Sequence, residues 1–211
     1  MHYIFDLDGT LVNSMNSWED VSKKFLKKYE KEYDKDFFYS LLAHSMEEGA
    51  KLIKERYELE ISPQTIQDEI SKELVYYYKN HIKLKEHVLK KLEQIHKKGH
   101  KLYIATASNY NIATMVLENN NCLKYFEFIE SCFENGFSKS DIAFFENLLK
   151  KIDADKKDIL YFDDSIIALE TAKKAGLFVI GVKDKTNIFQ TKKIKAIAND
   201  YIEDFSQIKV N

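Results

Sequence analysis

The sequence predicts an α/β protein: a doubly wound parallel sheet with a block of helices inserted after its first strand. Three observations predict it. Short apolar runs alternate with helix-period segments over residues 84–211, the pattern of a parallel sheet covered on both faces. Residues 14–83 keep a helical period and contain no convincing strand. The opening stretch, Tyr3 to Leu11, is a short apolar run that delivers Asp6 and Asp8 into a Gly-Thr turn. At 211 residues, the chain can bury one good core and still form a smaller second module.

The elements follow in order. After the first strand, Trp18, Val21, Phe25 and Tyr29 recur at helical spacing. So do Met46, Ala50, Ile53 and Tyr57, and then Ile66, Ile70, Leu74 and Tyr77. Ser62-Pro63 reads as a helix start, with proline where its missing N–H costs nothing. Val88, Leu92 and Ile95 mark a helix that stops at Gly99. Leu102 to Thr106 is a strand, and Ile112, Met115 and Val116 open the next helix. Phe128 to Ser131 is a short strand. Ser140 is placed to cap a helix carrying Ile142, Phe145, Leu149 and Ile152 on one face. Ile159 to Phe162 is a strand, the helix after Ser165 ends at Gly176, Phe178 to Val182 is a strand, and Tyr201-Ile202 is a short last one.

Composition excludes several classes. With 32 basic against 34 acidic residues, no basic field is available for nucleic acid. No run approaches the about 18 apolar residues of a membrane span, and neither a basic leader nor an apolar signal segment precedes the first strand. Cys122 and Cys132 form no disulfide framework or metal knuckle. A cytoplasmic protein is expected, and a monomer, since no heptad seam or repeated apolar face demands a partner.

The chemistry is expected at the strand ends, where ligands bind in sheets of this kind. Asp6 and Asp8 leave the first strand, and alternate strand residues share a face. Two close carboxylates do not both stay ionised without positive compensation, and Mg²⁺, a hard cation, accepts oxygen ligands. Thr106, Ala107 and Ser108 follow the second strand at a helix N-terminus, whose partial positive charge suits phosphate oxygens. Lys139 can neutralise a nucleophile and a phosphate together. Asp163 and Asp164, after the fourth strand, can complete a Mg²⁺ shell with Asp6 and the main-chain carbonyl of Asp8. Together these groups suit the movement of a phosphoryl group.

The ordered set Asp6-Leu7-Asp8-Gly9-Thr10, Thr106, Lys139 and Asp163-Asp164 resembles the haloacid dehalogenase superfamily, in its phosphoglycolate-phosphatase and β-phosphoglucomutase branch. Tyr161 to Ser165, leading through Ala175-Gly176 to Val179–Val182, is similar to that branch's fourth motif and following strand. The resemblance covers nearly the whole chain. It implies a Rossmann-like catalytic core over residues 1–13 and 84–211 and a helical cap over 14–83. It makes Asp6 the nucleophile that becomes an aspartyl phosphate. Asp8 would protonate the leaving oxygen and then activate water.

The implied activity is Mg²⁺-dependent hydrolysis of a small phosphorylated metabolite, such as a sugar phosphate. The alternatives are a β-phosphoglucomutase-like phosphomutase, which shares the core residues, and a non-catalytic binding member. Asn109 and His44 are candidate substrate contacts; Trp18 reads as packing and Lys51 as a solvated lysine. The chain departs from the family at Ser138-Lys139-Ser140, where prolines are usual, and at Lys85-Glu86-His87, where Pro-Gly commonly opens the helix. Both departures read as lost loop stiffening.

Overall fold

The computed structural model describes residues 1–41, 46–185 and 187–210, without the side chains of residues 15, 16 and 39. Two compact units emerge, residues 1–13 with 83–211, and residues 14–82.

The first unit holds a six-stranded sheet. In chain order its elements are β1 (His2–Phe5), α5 (Val88–Lys97), β2 (Lys101–Thr106), α6 (Tyr110–Asn119), β3 (Phe126–Ser131), α7 (Cys132–Asn135), α8 (Ile142–Ile152), β4 (Ile159–Asp163), α9 (Ile166–Lys174), β5 (Phe178–Val182), α10 (Thr191–Ile197) and β6 (Asp200–Ile202). The labels α1 to α4 belong to the second unit, which the chain visits after β1. Every strand pair is parallel, in the order β3-β2-β1-β4-β5-β6. The order reverses between β1 and β4, and a crevice at such a reversal is where a doubly wound sheet binds ligands.

Sequence alternation fixes what each face of the sheet buries. Ile4 points into a core with Tyr103, Phe144, Phe145, Leu148, Tyr161 and Val179. Tyr3 and Phe5 point the other way, and Phe5 stacks on Phe162 at 4.7 Å between ring centroids. Phe205 covers Phe5 at 6.1 Å. A fully buried aromatic ring of this kind contributes roughly 1.5–3 kcal/mol, so this stack helps to hold the two central strands in place.

The helices of this unit follow their expected faces, with local shifts. Val88, Leu92 and Ile95 are buried on α5. On α8 the buried residues are Phe144, Phe145, Leu148 and Ile152, while Ile142 is exposed. The face is turned because Phe144 and Phe145 pack edge to face on each other, and Phe145 on Tyr161. The cap of α8 is Asp141, whose carboxylate accepts from the Ala143 N–H at 2.9 Å; Ser140 instead shares a hydrogen bond with Ser138. A carboxylate satisfies an orphan N–H as well as a hydroxyl and also meets the helix dipole.

The second unit is helical: α1 (Met15–Lys28), α2 (Lys35–Leu41), α3 (Met46–Tyr57) and α4 (Pro63–Asn80). Ser62 caps α4 through the Thr65 N–H at 3.1 Å, with Pro63 in the first turn. Val21, Phe25, Ile53, Ile66, Ile70 and Leu74 are buried. Tyr78 rather than Tyr77 completes the buried face of α4, because the Tyr77 hydroxyl reaches Asp20 at 2.9 Å. Trp18 is half-buried. Lys51 pairs with Glu47 at the surface, and His44 lies outside the described residues. No helix among the described residues is long and apolar enough to cross a membrane.

Candidate active site

The site begins with strand register. His2 pairs with Ile159 and Phe5 with Phe162, and the Asp6 N–H donates to the Phe162 carbonyl at 2.9 Å. Asp6 therefore stands beside Asp163 as the two central strands end. After Asp6 the chain closes a tight loop: Leu11 and Val12 N–H both donate to the Leu7 carbonyl, and Gly9 N–H to Val12. Gly9 has φ +81°, and a Cβ there would lie 2.6 Å from Asp164 Oδ2. Only glycine lets the loop come this close to the second acidic pair.

Lys139 ties the centre together. Its ammonium donates to Asp6 Oδ1 and, at 2.9 Å, to Asp163 Oδ2. Asp163 is held on both oxygens, since the Tyr161 hydroxyl donates to Oδ2 and the Ser165 N–H to Oδ1 at 2.7 Å. Carboxylate oxygens of Asp6, Asp163 and Asp164 lie within 4.8 Å of one another. Asp8 faces a different partner: its Oδ2 accepts from Ser108 Oγ at 2.5 Å. Thr106 is buried, and its Oγ1 accepts from the Ser108 N–H at 2.9 Å. Ser131 Oγ holds the Ser108 carbonyl at 2.8 Å. Ala107 is exposed at the loop surface.

Charge in this cluster is out of balance. Burial, countered by Lys139 and reinforced by Asp163 and Asp8, pushes the Asp6 carboxyl up to about 7. Burial and then the charges of Asp163, Asp6 and Asp184 hold Asp164 well above the usual carboxylate range. Burial would lower Lys139, but Asp163 and Asp6 outweigh it and hold the ammonium above its ordinary value. One lysine does not compensate three close carboxylates. A divalent cation would, and the all-oxygen donors of Asp6, Asp163 and Asp164 suit a hard one. The residues present fit Mg²⁺.

The structure brings together Asp6, Asp163, Asp164 and Lys139, and joins Asp8 to Ser108 beside Thr106. Asn109 is engaged locally: its Oδ1 caps α6 through the Asn111 N–H at 2.9 Å. Four partners escaped the sequence reading. Tyr161 looks like a core residue of a strand; the one local signal is that, two residues before Asp163, it shares that residue's face. Asn187 Nδ2 donates to the Asp164 carbonyl at 2.8 Å. Lys85 donates to the Gly9 carbonyl and pairs with Asp184 at 2.9 Å.

The parallel sheet, its reversal between β1 and β4, and the acid-rich crevice there define a doubly wound α/β protein of Rossmann-like architecture with its candidate site at the strand ends. Residues 3–182 match the haloacid dehalogenase-like hydrolase family, and the chain belongs to it. A phosphorylated carbohydrates phosphatase of Thermotoga maritima is 24% identical over 174 residues, covering 82% of this chain and 81% of that protein. A bifunctional riboflavin kinase/FMN phosphatase of Arabidopsis thaliana is 28% identical over 183 residues, 85% of this chain but only 47% of that longer protein. Both relatives are named as phosphatases, in agreement with the phosphoric monoester hydrolase class. Among solved structures, a β-phosphoglucomutase-like protein of Thermotoga maritima superposes with TM-score 0.81 at 22% identity, covering 95% of this chain and 93% of that one. CbbY of Rhodobacter sphaeroides, solved with phosphate, gives 0.78 at 16% identity, covering 98% and 95%. At these identities the two structures speak to the fold.

Proposed function

We propose that the chain is a Mg²⁺-dependent phosphatase of a small phosphorylated metabolite, a sugar phosphate above all, acting through an aspartyl phosphate on Asp6. The observation that carries this reading is the placement of Asp6: at the tip of the central strand, held by Lys139 and flanked by Asp163 and Asp164. The Asp6 carboxylate attacks phosphorus, and the P–O bond to the leaving alcohol breaks. Asp8 gives its proton to that alcohol. Asp8 then takes a proton from a water whose oxygen attacks the phosphorus, which frees phosphate and restores Asp6. Thr106, whose oxygen accepts from Ser108 N–H and keeps its own proton to donate, lies with Ala107 and Ser108 at the proposed phosphate cradle. Lys139 offsets charge on both nucleophile and phosphate as the transition state forms. Mg²⁺, held by Asp6 and Asp164 with Asp163 beside them and the Asp8 carbonyl, would keep Asp6 ionised and neutralise the phosphate.

Every group in this scheme comes from the α/β unit. The helical unit, residues 14–82, is proposed as a cap that selects the leaving group, with His44 as a candidate contact. The substrate class is supported by the Thermotoga relative's name, and the test must identify the metabolite. Phosphate release is measured with Mg²⁺ and with EDTA over sugar phosphates, phosphoglycolate and FMN, with sugar-phosphate isomers assayed in parallel. Metal-dependent release concentrated on one sugar phosphate is the expected result. Isomer formation without net release overturns hydrolysis in favour of a mutase, and silence across the panel overturns the enzyme.

A further inference from the structure

Behind the catalytic carboxylates lies a closed ring of contacts that joins the loop after β1 to the loop after β4. The Lys85 ammonium donates to the Gly9 carbonyl and, at 2.8 Å, to the Lys183 carbonyl. It pairs with Asp184 Oδ2 at 2.9 Å, and the two side chains are only 14% and 5% exposed. The Asp184 N–H donates to Asn187 Oδ1 at 3.1 Å. Asn187 Nδ2 then donates to the Asp164 carbonyl at 2.8 Å. The ring closes at the front, where Thr10 Oγ1 donates to Asp164 Oδ1 at 3.2 Å and Gly9 packs directly on the Asp164 carboxylate. A lysine side chain has long, entropically costly freedom. Holding one in the interior on three acceptors, one of them a carbonyl between Asp8 and Thr10, is more than local satisfaction of Asp184 requires.

The geometry points to Lys85 as a positioning residue: acting through the Gly9 carbonyl, it sets where the turn bearing Asp8 stands relative to Asp164. This rests on the phosphatase reading and adds to it a part played from outside the first contact layer. The lysine backbone is itself held, its N–H donating to the Leu11 carbonyl at 2.8 Å while the Val88 N–H donates to the Lys85 carbonyl at 3.3 Å, so the side chain reaches Gly9 from a fixed point.

The test uses Lys85→Met and the double variant Lys85→Met/Asp184→Asn. The single variant deprives a buried carboxylate of its cation and can fail to fold on that account alone. The double variant removes both charges and keeps the Asp184 N–H to Asn187, so the fold is maintained while the Gly9 tether is gone. Four quantities are read: the thermal midpoint, kcat and KM on the best substrate, and the Kd for Mg²⁺ alone by calorimetry. For the double variant we expect a midpoint close to that of the parent, kcat lower by about 10-fold or more with KM moved far less, and Mg²⁺ bound about 10-fold more weakly, the low end of the range for residues that orient metal ligands. Values of kcat and Mg²⁺ Kd within two-fold of the parent, in a folded double variant, overturn the inference and leave the phosphatase reading standing. A parent protein that neither binds Mg²⁺ nor releases phosphate defeats the phosphatase reading itself.

Discussion

Replacing Gly9 by alanine separates the demands of the backbone from those of the site. Gly9 has φ +81° and Gly99 has φ +77°, so an alanine at either meets left-handed strain of about 1–2 kcal/mol. The unfolded chain loses freedom in both cases, which returns about 0.4–1 kcal/mol. From backbone conformation alone, each variant should therefore lose about 1 kcal/mol of stability, read by urea unfolding. The surroundings then differ. A Cβ at Gly99 meets nothing within 4 Å among the described residues, whereas one at Gly9 meets the Asp164 carboxylate at 2.6–2.8 Å. Ordinary contact begins at 3.4 Å, so Asp164 Oδ2 must retreat by about 0.8 Å, and misplacement near 1 Å in a site costs up to about 10²-fold in rate.

Gly9→Ala should accordingly lower kcat roughly 10- to 100-fold and raise the Mg²⁺ concentration needed for half-maximal activity. Gly99→Ala, equally strained, should keep parental kinetics. Phosphate release at graded Mg²⁺, on folded protein verified by circular dichroism, measures both. Parental activity in Gly9→Ala would refute the claim that the loop's closeness to Asp164 sets the site. Equal losses in the two variants would show that general destabilisation accounts for the effect.

Asp6→Asn should abolish turnover with the fold intact, and Mg²⁺-dependent activity surviving in it would move the nucleophile elsewhere. Asp8→Asn should slow turnover by at least about 10²-fold, and an unchanged rate rejects its acid–base role. Tyr161→Phe keeps the buried ring and removes one donor to Asp163; kcat should fall about 10-fold, and an unchanged kcat would make the hydroxyl a packing detail. The Asp6 carboxyl, raised by burial from 3.8 to about 7, is easier to keep protonated folded than unfolded. Its contribution to the stability of metal-free protein is thus fully present below about 3.8 and lost as pH rises through about 7. Mg²⁺ should raise the thermal midpoint more at pH 8 than at pH 5, and an equal shift at both would contradict this linkage.

What could be read from the sequence were the groups that a strand carries to its own end. Asp6, Asp8, Thr106, Asp163 and Asp164 all follow apolar runs, so strand order and register place them on one rim with no knowledge of tertiary contacts. The pairings were hidden wherever two distant segments must meet. Lys85 and Asp184 look like ordinary surface charges in the chain, yet the fold buries them against each other. Tyr161 shares a strand face with Asp163, but that the carboxylate oxygen it meets is also held by Lys139 depends on a segment 24 residues away. The turned face of α8 has the same origin: Phe144 and Phe145 outbid Ile142 because larger rings bury more area, a choice that the helical period alone does not make.

The site also shows why its charge excess sits between β1 and β4. Three close carboxylates work against folding, and a peripheral loop carrying them would open to hydrate them. Here Phe5 and Phe162 stack immediately behind Asp6 and Asp163, and main-chain hydrogen bonds of the two central strands run up to Asp6. Relaxing the repulsion would mean unzipping two central strands backed by buried aromatic rings. The carboxylates therefore stay together, and Lys139 relieves part of the unfavourable charge; the proposed divalent cation would relieve the rest. A site strained by its own charge and backed by a stiff core would bind a cation the more tightly for it. That coupling links the aromatic packing of the sheet to the chemistry proposed at its edge.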